Sequence, residues 1–410
     1  MITNDAVILG MLMCLLGLVF YTGSLKTPFW TKFYKFIPGL LLCYFLPSLL
    51  TSTGLVDPHD SKLYFVASRY FLPASLILLT LSIDLKEVFK LGPKALIMFF
   101  TGTLGVIIGG PLAILLTSMV APEVVGGQGP EEVWRGLSTV AGSWIGGGAN
   151  QAAMYEIYKP SDGLYSIMIT VDVIVAEIWM AFLLLGVGRA DAIDRFFKAD
   201  ATAVTNLKNK MHEFSKKIAK IPTTTDFFII LGIGLGATGL AHLLADNIAP
   251  FIEENAPGLA KFSLTSHFFW LIVIATAIGI ALSFTKARKY EGAGASKIGS
   301  IFIYFLVATI GMKMNIMEIG ENPGLFGVGL IWMIIHVGLL FLVGKIIKAP
   351  YFFLAVGSKA NIGGAASAPV VAGAFHPSLA PVGVLLAVVG YAIGTYGAWL
   401  CGILMQGVSP

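Results

Sequence analysis

The chain has 410 residues, of which 56% are hydrophobic and only 12% charged, about half the charged fraction of a soluble domain. That profile excludes an ordinary soluble protein, and no basic cluster interleaved with aromatics supports nucleic-acid binding. The net charge of +4 says less than where the charges fall.

Six apolar runs come first, at Ala6–Tyr21, Phe36–Leu50, Tyr64–Ile83, Ala95–Thr117, Leu137–Tyr158 and Leu164–Val187. Six more follow at Phe227–Ala245, His267–Phe284, Ile298–Met312, Leu325–Ile347, Tyr351–Phe375 and Leu379–Met405. Most approach the roughly 20 residues that span a bilayer, so the expectation is an all-α polytopic membrane protein. The first run lacks a basic leader and a clear small-residue cleavage site, so it is expected to be a retained span. Cys14, Cys43 and Cys401 all fall inside apolar runs and are expected to be small buried hydrophobes.

The longest hydrophilic stretch, Gly188–Thr224, divides the chain into a first membrane repeat (1–187), an amphipathic linker (188–224) and a second repeat (225–410). The halves match in order. SIDLKEVFKLGP closes the third run of the first half, and GMKMNIMEIGENP closes the third run of the second. A long apolar run follows in each, then a glycine-rich stretch: GSWIGGGANQAAM at Gly142–Met154 and GSKANIGGAASAP at Gly357–Pro369. Internal repeats of this kind are a transporter signature, with the binding site between the repeats.

Basic loops mark the cytoplasmic side. Lys26, Lys32 and Lys35 place Gly23–Lys35 inside; the linker, with eight basic residues against four acids, and Thr285–Lys297 also belong inside. Loops Val120–Gly136 and Asp246–Ser263 are acidic and are expected outside. Twelve full crossings would put the linker outside. The conflict disappears if each glycine-rich run dips in and returns, leaving five crossings plus one re-entrant hairpin per half. The odd number makes the repeats inverted relative to each other, as transporter repeats often are. The rival topology lets the glycine-rich runs cross as broken helices.

Gly146, Gly147, Gly148, Gly363 and Gly364 disfavour continuous helix, at about 1 kcal/mol each against alanine. A break frees backbone amides and carbonyls that protein, water or a ligand must satisfy. Polar side chains flank both breaks: Ser143, Asn150 and Gln151 around the first, and Ser358, Lys359, Asn361 and Ser367 around the second. These are the expected solute- or ion-binding residues. The scattered Gly232, Gly234, Gly236, Gly239, Gly390 and Gly394 are expected to serve close helix packing.

Asp172 and Glu177 lie deep in an apolar run, where an ionisable group costs at least about 2.5 kcal/mol and marks function. Five residues apart, they do not share a helix face. Asp172 is expected to couple a proton or to ligate Na⁺; Glu177 is the second coupling candidate. Lys359 would pair with Asp172, attract an anionic solute or snorkel outward. His336 is expected to be a packed histidine, and Tyr391 and Thr395 would offer hydroxyls. P-loop, Rossmann, HExxH and CxxC motifs are all missing, so neither an enzyme nor an ATP-driven pump is expected. No cofactor is called for beyond a coupling ion.

The paired glycine-rich stretches with Asp172 after the first resemble the YjcL-like uncharacterised bacterial integral membrane proteins. That resemblance implies the superfamily of cation:proton antiporters, bile acid:sodium symporters and auxin carriers. It implies inverted repeats, broken helices, a transport domain that moves against a scaffold domain, and Asn150, Gln151, Asp172 and Asn361 as the working residues. The hairpins also resemble those of sodium-coupled citrate and glutamate symporters. The expected function is an elevator-like secondary transporter coupling Na⁺ or H⁺ to a small anionic or zwitterionic organic solute. It would sit in the bacterial plasma membrane amid lipid, with a homodimer as the candidate assembly. The alternatives are a monovalent cation/proton antiporter and, behind it, an intramembrane enzyme or channel.

Overall fold

A computed structural model describes residues 1–37, 39–57, 61–83, 85–200, 202, 204, 207, 221–262, 264–312, 322–376 and 379–410. Most of the linker after residue 200, and most of the GMKMNIMEIGENP exit, lie outside the described residues.

The described residues form helices, with one isolated bridge between Ile2 and Val56. The first half contains α1 (Asp5–Ser24), the short aromatic α2 (Pro28–Phe36), α3 (Gly39–Ser52), α4 (Leu63–Leu81), α5 (Pro93–Ser118), α6 (Val133–Tyr158) and α7 (Asp162–Val187). After α8 (Ala190–Phe197) come α9 (Thr224–Asn255), α10 (His267–Ser283), α11 (Ala295–Gly311) and α12 (Gly324–Ile346). The chain closes with α13 (Tyr351–Asn361), α14 (Gly364–Phe375) and α15 (Ala380–Val408). Among these, α1, α4, α5, α7, α9, α12 and α15 are long and apolar enough to cross a bilayer. Helix α10 passes only together with the turn that follows it, bent by 95°, and α3 and α11 are apolar but shorter. This is an integral, multi-pass membrane protein.

Helix α6 is two arms folded against each other. Gly147 takes φ 72° and ψ −172°, a conformation open only to glycine. Gly142 lets the arms touch, since a Cβ there would lie 2.9 Å from the Gln151 Cα. At the far end the Trp134 and Tyr158 rings meet edge to face at 5.3 Å, and Arg135 Nη1 donates to the Tyr158 carbonyl at 2.8 Å. Helices α13 and α14 make a second hairpin. Gly363 (φ 99°) and Gly364 (φ 57°) form its turn, and Phe375 closes its feet against Tyr351 and Phe352 at 5.9 and 5.2 Å.

Both hairpins lie along α15 and approach from opposite ends. The first follows its C-terminal part, with the Tyr158 hydroxyl donating to the Trp399 carbonyl at 2.6 Å. The second follows its N-terminal part, where a Cβ on Gly383 would touch the Pro369 nitrogen at 2.6 Å. Helix α15 is about 43 Å long, and residue 391 lies about 17 Å from its start.

Packing cuts across the two sequence halves. Helices α5, α6, α7, α12, α13, α14 and α15 form one bundle; α1, α3, α4, α9, α10 and α11 form another, and contacts within each are denser than those between them. One end of the molecule holds Ile2 bonded to Leu55, Ser161 bonded to Pro130 and Ser409 bonded to Val125. The other holds α8, whose Asp194 accepts from the Tyr351 amide at 2.7 Å, and Lys94, which donates to the Lys348 carbonyl.

Candidate functional site

The hairpin tips converge on Gly390 and Tyr391. A Cβ on Gly147 would lie 3.3 Å from the Tyr391 ring, and one on Gly364 would lie 3.5 Å from it. A Cβ on Gly390 would lie 2.7 Å from the Ile145 carbonyl and 3.3 Å from the Ala360 carbonyl, so Gly390 is pinched between the tips. Each tip joins the C-terminal end of one arm to the N-terminal start of the next, placing carbonyl and amide ends together. Among the described residues, the start of α14 has no side-chain cap, and the buried Ser367 Oγ in its first turn has no hydrogen-bond partner. An orphaned buried hydroxyl is rare in native proteins and marks this tip as chemically open.

The two asparagines perform the same job in the two halves. Asn150 Nδ2 donates to the Gly146 carbonyl at 2.9 Å and to the Tyr391 carbonyl at 3.3 Å, while its Oδ1 accepts from Thr395 at 2.6 Å. Asn361 Nδ2 donates to the Gly357 carbonyl at 3.0 Å and to the Phe99 carbonyl at 2.9 Å, while its Oδ1 accepts from Thr103 at 2.8 Å. Each amide thus binds the carbonyl four residues back, a neighbouring-helix carbonyl, and the threonine four residues beyond that carbonyl. Asn150 ties the first tip to α15; Asn361 ties the second to α5. Both side chains are fully committed within the protein, which makes them positioners of the tips. Either Asn361→Ala or Thr103→Val should therefore cost about 1–3 kcal/mol, the penalty for stranding a buried polar partner. The double variant should cost much less than the sum, as thermal melts of purified protein would measure; additive losses would contradict the clamp.

Asp172 lies behind the first tip, 4% exposed. Trp144 Nε1 donates to its Oδ1 at 2.7 Å and Gln151 Nε2 to its Oδ2 at 2.9 Å, with Ser143 beside the same carboxylate. Tyr44 donates in turn to Gln151 Oε1 at 3.4 Å. These N–H and O–H donors stabilise negative charge. A sodium ion would need oxygen lone pairs turned inward instead.

Lys359 is fully buried. Its Nζ donates to the Ala176 carbonyl at 3.1 Å and stands 4.0 Å from Glu177 Oε1. Ala176 lies one turn beyond Asp172 on the same helix face, so the ammonium and the Asp172 carboxylate interact electrostatically. Of the three expected fates of Lys359, snorkelling is not seen. Glu177 points elsewhere, with 42% of its side chain exposed, as its helical offset from Asp172 requires.

Ser358 is also occupied. The Trp179 indole donates to its Oγ at 2.8 Å, and His336 Nε2 lies 2.8 Å from the same oxygen. His336 Nδ1 faces the Gly102 carbonyl at 3.1 Å, so Nδ1 carries the hydrogen and Nε2 accepts from Ser358. His336 is a packed histidine that ties α12, α5 and α13 together.

Trp144, Trp179, Thr103 and Tyr44 join the site without having been singled out from sequence. The one available signal is that a buried indole N–H needs an acceptor, which says nothing about where that acceptor lies.

Residues 10–408 match the family model described as "Protein of unknown function (DUF819)". The chain belongs to the DUF819 family. A relative is the uncharacterised membrane protein YjcL of Bacillus subtilis (strain 168), 21% identical over 388 residues, covering 91% of this chain and 92% of that protein. The family match runs through both hairpins and the Gly390–Tyr391 junction. Among the described residues of this DUF819 protein, no group of three or more His, Cys, Asp or Glu side chains is placed to hold a metal.

Proposed function

We propose that this chain is a secondary active transporter of a small anionic organic solute, working by an elevator-like alternation of access. One observation carries the reading: two hairpins from opposite ends meet tip to tip at Gly390 and Tyr391, partway along a membrane-spanning helix. The repeats are then inverted, the hairpins are re-entrant, and the bundle holding them is the moving domain. The other bundle, with sparser contacts across the seam, is the scaffold. This layout agrees with the superfamily of cation:proton antiporters, bile acid:sodium symporters and auxin carriers. The start of α14, uncapped beside the orphaned Ser367 hydroxyl, offers amides and a positive dipole end to an anionic group.

Proton coupling suits Asp172 better than Na⁺, because every partner of its carboxylate is a hydrogen donor. Trp144 and Gln151 favour the ionised carboxylate, so a proton taken up on Asp172 is readily released again, whereas a cation would face the hydrogens of both side chains. The test is proteoliposome transport under an imposed pH gradient, with carboxylates, amino acids and short peptides as solutes. Solute-dependent proton movement that is lost in Asp172→Asn is the expected result. Cation-driven proton movement without solute would replace this reading with cation/proton antiport.

The same reading fixes the sidedness of the chain in a bacterial plasma membrane. In a cysteine-free background, Ser161→Cys and Arg195→Cys should react with impermeant thiol reagents from opposite faces of sealed vesicles. Labelling from the same face would sink the hairpin topology.

A further inference from the structure

A string of polar groups leaves Asp172 in one direction along α7. Tyr165 and Asp172 are seven residues apart and share a helix face. Asp162, the first residue of α7, lies one turn before Tyr165. From the returning arm of the first hairpin, the Tyr155 hydroxyl donates to Asp162 Oδ1, and its ring packs on the Tyr165 ring with centroids 4.3 Å apart. Tyr155, Tyr165 and Asp172 are buried, while Asp162 is half-buried at the end of the molecule that holds Ser161. Past Asp172 the buried face of α7 continues as Val175, Ala176, Trp179 and Leu183. None of these side chains exchanges protons, and the Trp179 indole is taken up by Ser358.

Tyr165 is the odd member of the string. Among the described residues its buried Oη has no hydrogen-bond partner, and orphaned buried hydroxyls are rare. A phenylalanine would fill the same space. The groups that face this oxygen are Tyr44 from α3, Tyr155 from α6 and Asp172 from its own helix. Asp172 is faced in turn by Lys359 of α13. Tyr44 offers no route of its own. Its hydroxyl donates to Gln151 Oε1 at 3.4 Å, and an amide gives hydrogen bonds without passing a proton on.

We propose that Tyr155 and Tyr165 relay protons between Asp162 and Asp172, with water completing the step from Tyr165 to the carboxylate. A proton from bulk water lands on the Asp162 carboxylate. Each tyrosine oxygen then accepts one proton on a lone pair while its own leaves toward the next acceptor, so neither ring ends charged. Asp162 returns to its ionised form and Asp172 becomes the neutral acid. The Tyr155 hydroxyl turns about its C–O bond to pass from Asp162 toward Tyr165. Tyr165, Tyr44 and Asp172 together supply the two to four polar partners that a buried water needs. The relay rests on the reading of Asp172 as the proton-coupling group, and it adds that this group fills from the Ser161 face.

The test reads protonation of Asp172 in full-length protein in lipid nanodiscs, without solute. After a rapid drop in pH, the infrared band of protonated carboxyls should grow with a component that Asp172→Asn lacks. In Tyr165→Phe that component should reach the same height but grow about tenfold more slowly or worse, since a positioned proton donor is worth about 10²–10⁴ in rate. Tyr155→Phe should slow it as well. Removing an unpartnered hydroxyl strands nothing, so the melting midpoint of Tyr165→Phe should stay level or rise. A wild-type rate in Tyr165→Phe would overturn the relay. So would a fall in its midpoint, which would mark the hydroxyl as structural, or a wild-type protein in which the Asp172 component never appears. Solute uptake is measured separately: a chain whose Asp172 fills through Tyr165 but that moves no solute keeps the relay and loses the transport reading.

Discussion

Gly390→Leu should abolish transport while the same change at Gly232 should not. At Gly390 any side chain runs into the carbonyls of Ile145 and Ala360, one from each hairpin. Backbone carbonyls cannot rotate away as a flexible side chain does, so the tips must separate. Overpacking of this kind costs about 1–3 kcal/mol, and here the strain falls on the junction itself. At Gly232 a Cβ meets nothing within 4 Å, so the added side chain faces open space. Proteoliposome uptake and thermal melts of both variants would measure the contrast. Uptake surviving in Gly390→Leu would mean that the tip junction does not carry the solute.

The second large effect concerns the buried charges. Removing the charge of Asp172 alone, as in Asp172→Asn, turns an amide N–H₂ toward one of the Trp144 and Gln151 donors and leaves the buried Lys359 ammonium to the partly exposed Glu177, 4.0 Å away. Losing one charge of a buried pair costs at most about 3–5 kcal/mol. Lys359→Met alone should cost less, because Trp144 and Gln151 still donate to the Asp172 carboxylate. The double variant Asp172→Asn/Lys359→Met removes both charges, keeps the shape of the site, and should recover most of the lost stability. It should remain inactive, because no titratable group is left behind the first tip. A melting series across the four proteins measures the coupling. A double variant as unstable as the sum of the singles would show that the two charges do not depend on each other.

Much of this was legible in the sequence, for identifiable reasons. Loop charges and run lengths called for ten crossings and two glycine-rich exceptions; among the described residues seven helices are long and apolar enough to cross, and both glycine-rich stretches bend back, because lipid leaves few options for a backbone break. The breaks fall at Gly147 and at Gly363–Gly364, where a positive φ demands glycine. Burial of Asp172 was legible from its apolar neighbourhood alone. What the sequence could not supply was pairing across distance. Asn150 and Asn361 read as ligand-binding amides, yet their partners, Thr395 and Thr103, sit 245 and 258 residues away. The division into two bundles was hidden for the same reason. The chain breaks at Gly188–Thr224, but the hairpin of each half packs against helices of the other, and no composition shift marks that exchange. Ser358 shows the limit most plainly: its place beside the glycine break suggested a ligand, and its hydroxyl is taken up by Trp179 and His336.

The most direct measurement is the accessibility of a cysteine at the tip junction. With Cys14, Cys43 and Cys401 replaced, Tyr391→Cys should react with an impermeant thiol reagent in right-side-out vesicles and also in inside-out vesicles. Ser161→Cys in the same background should react from one face only. Reaction of the junction from both faces is what alternating access requires. Reaction from one face alone, or from neither under transport conditions, would contradict the opposed-hairpin site.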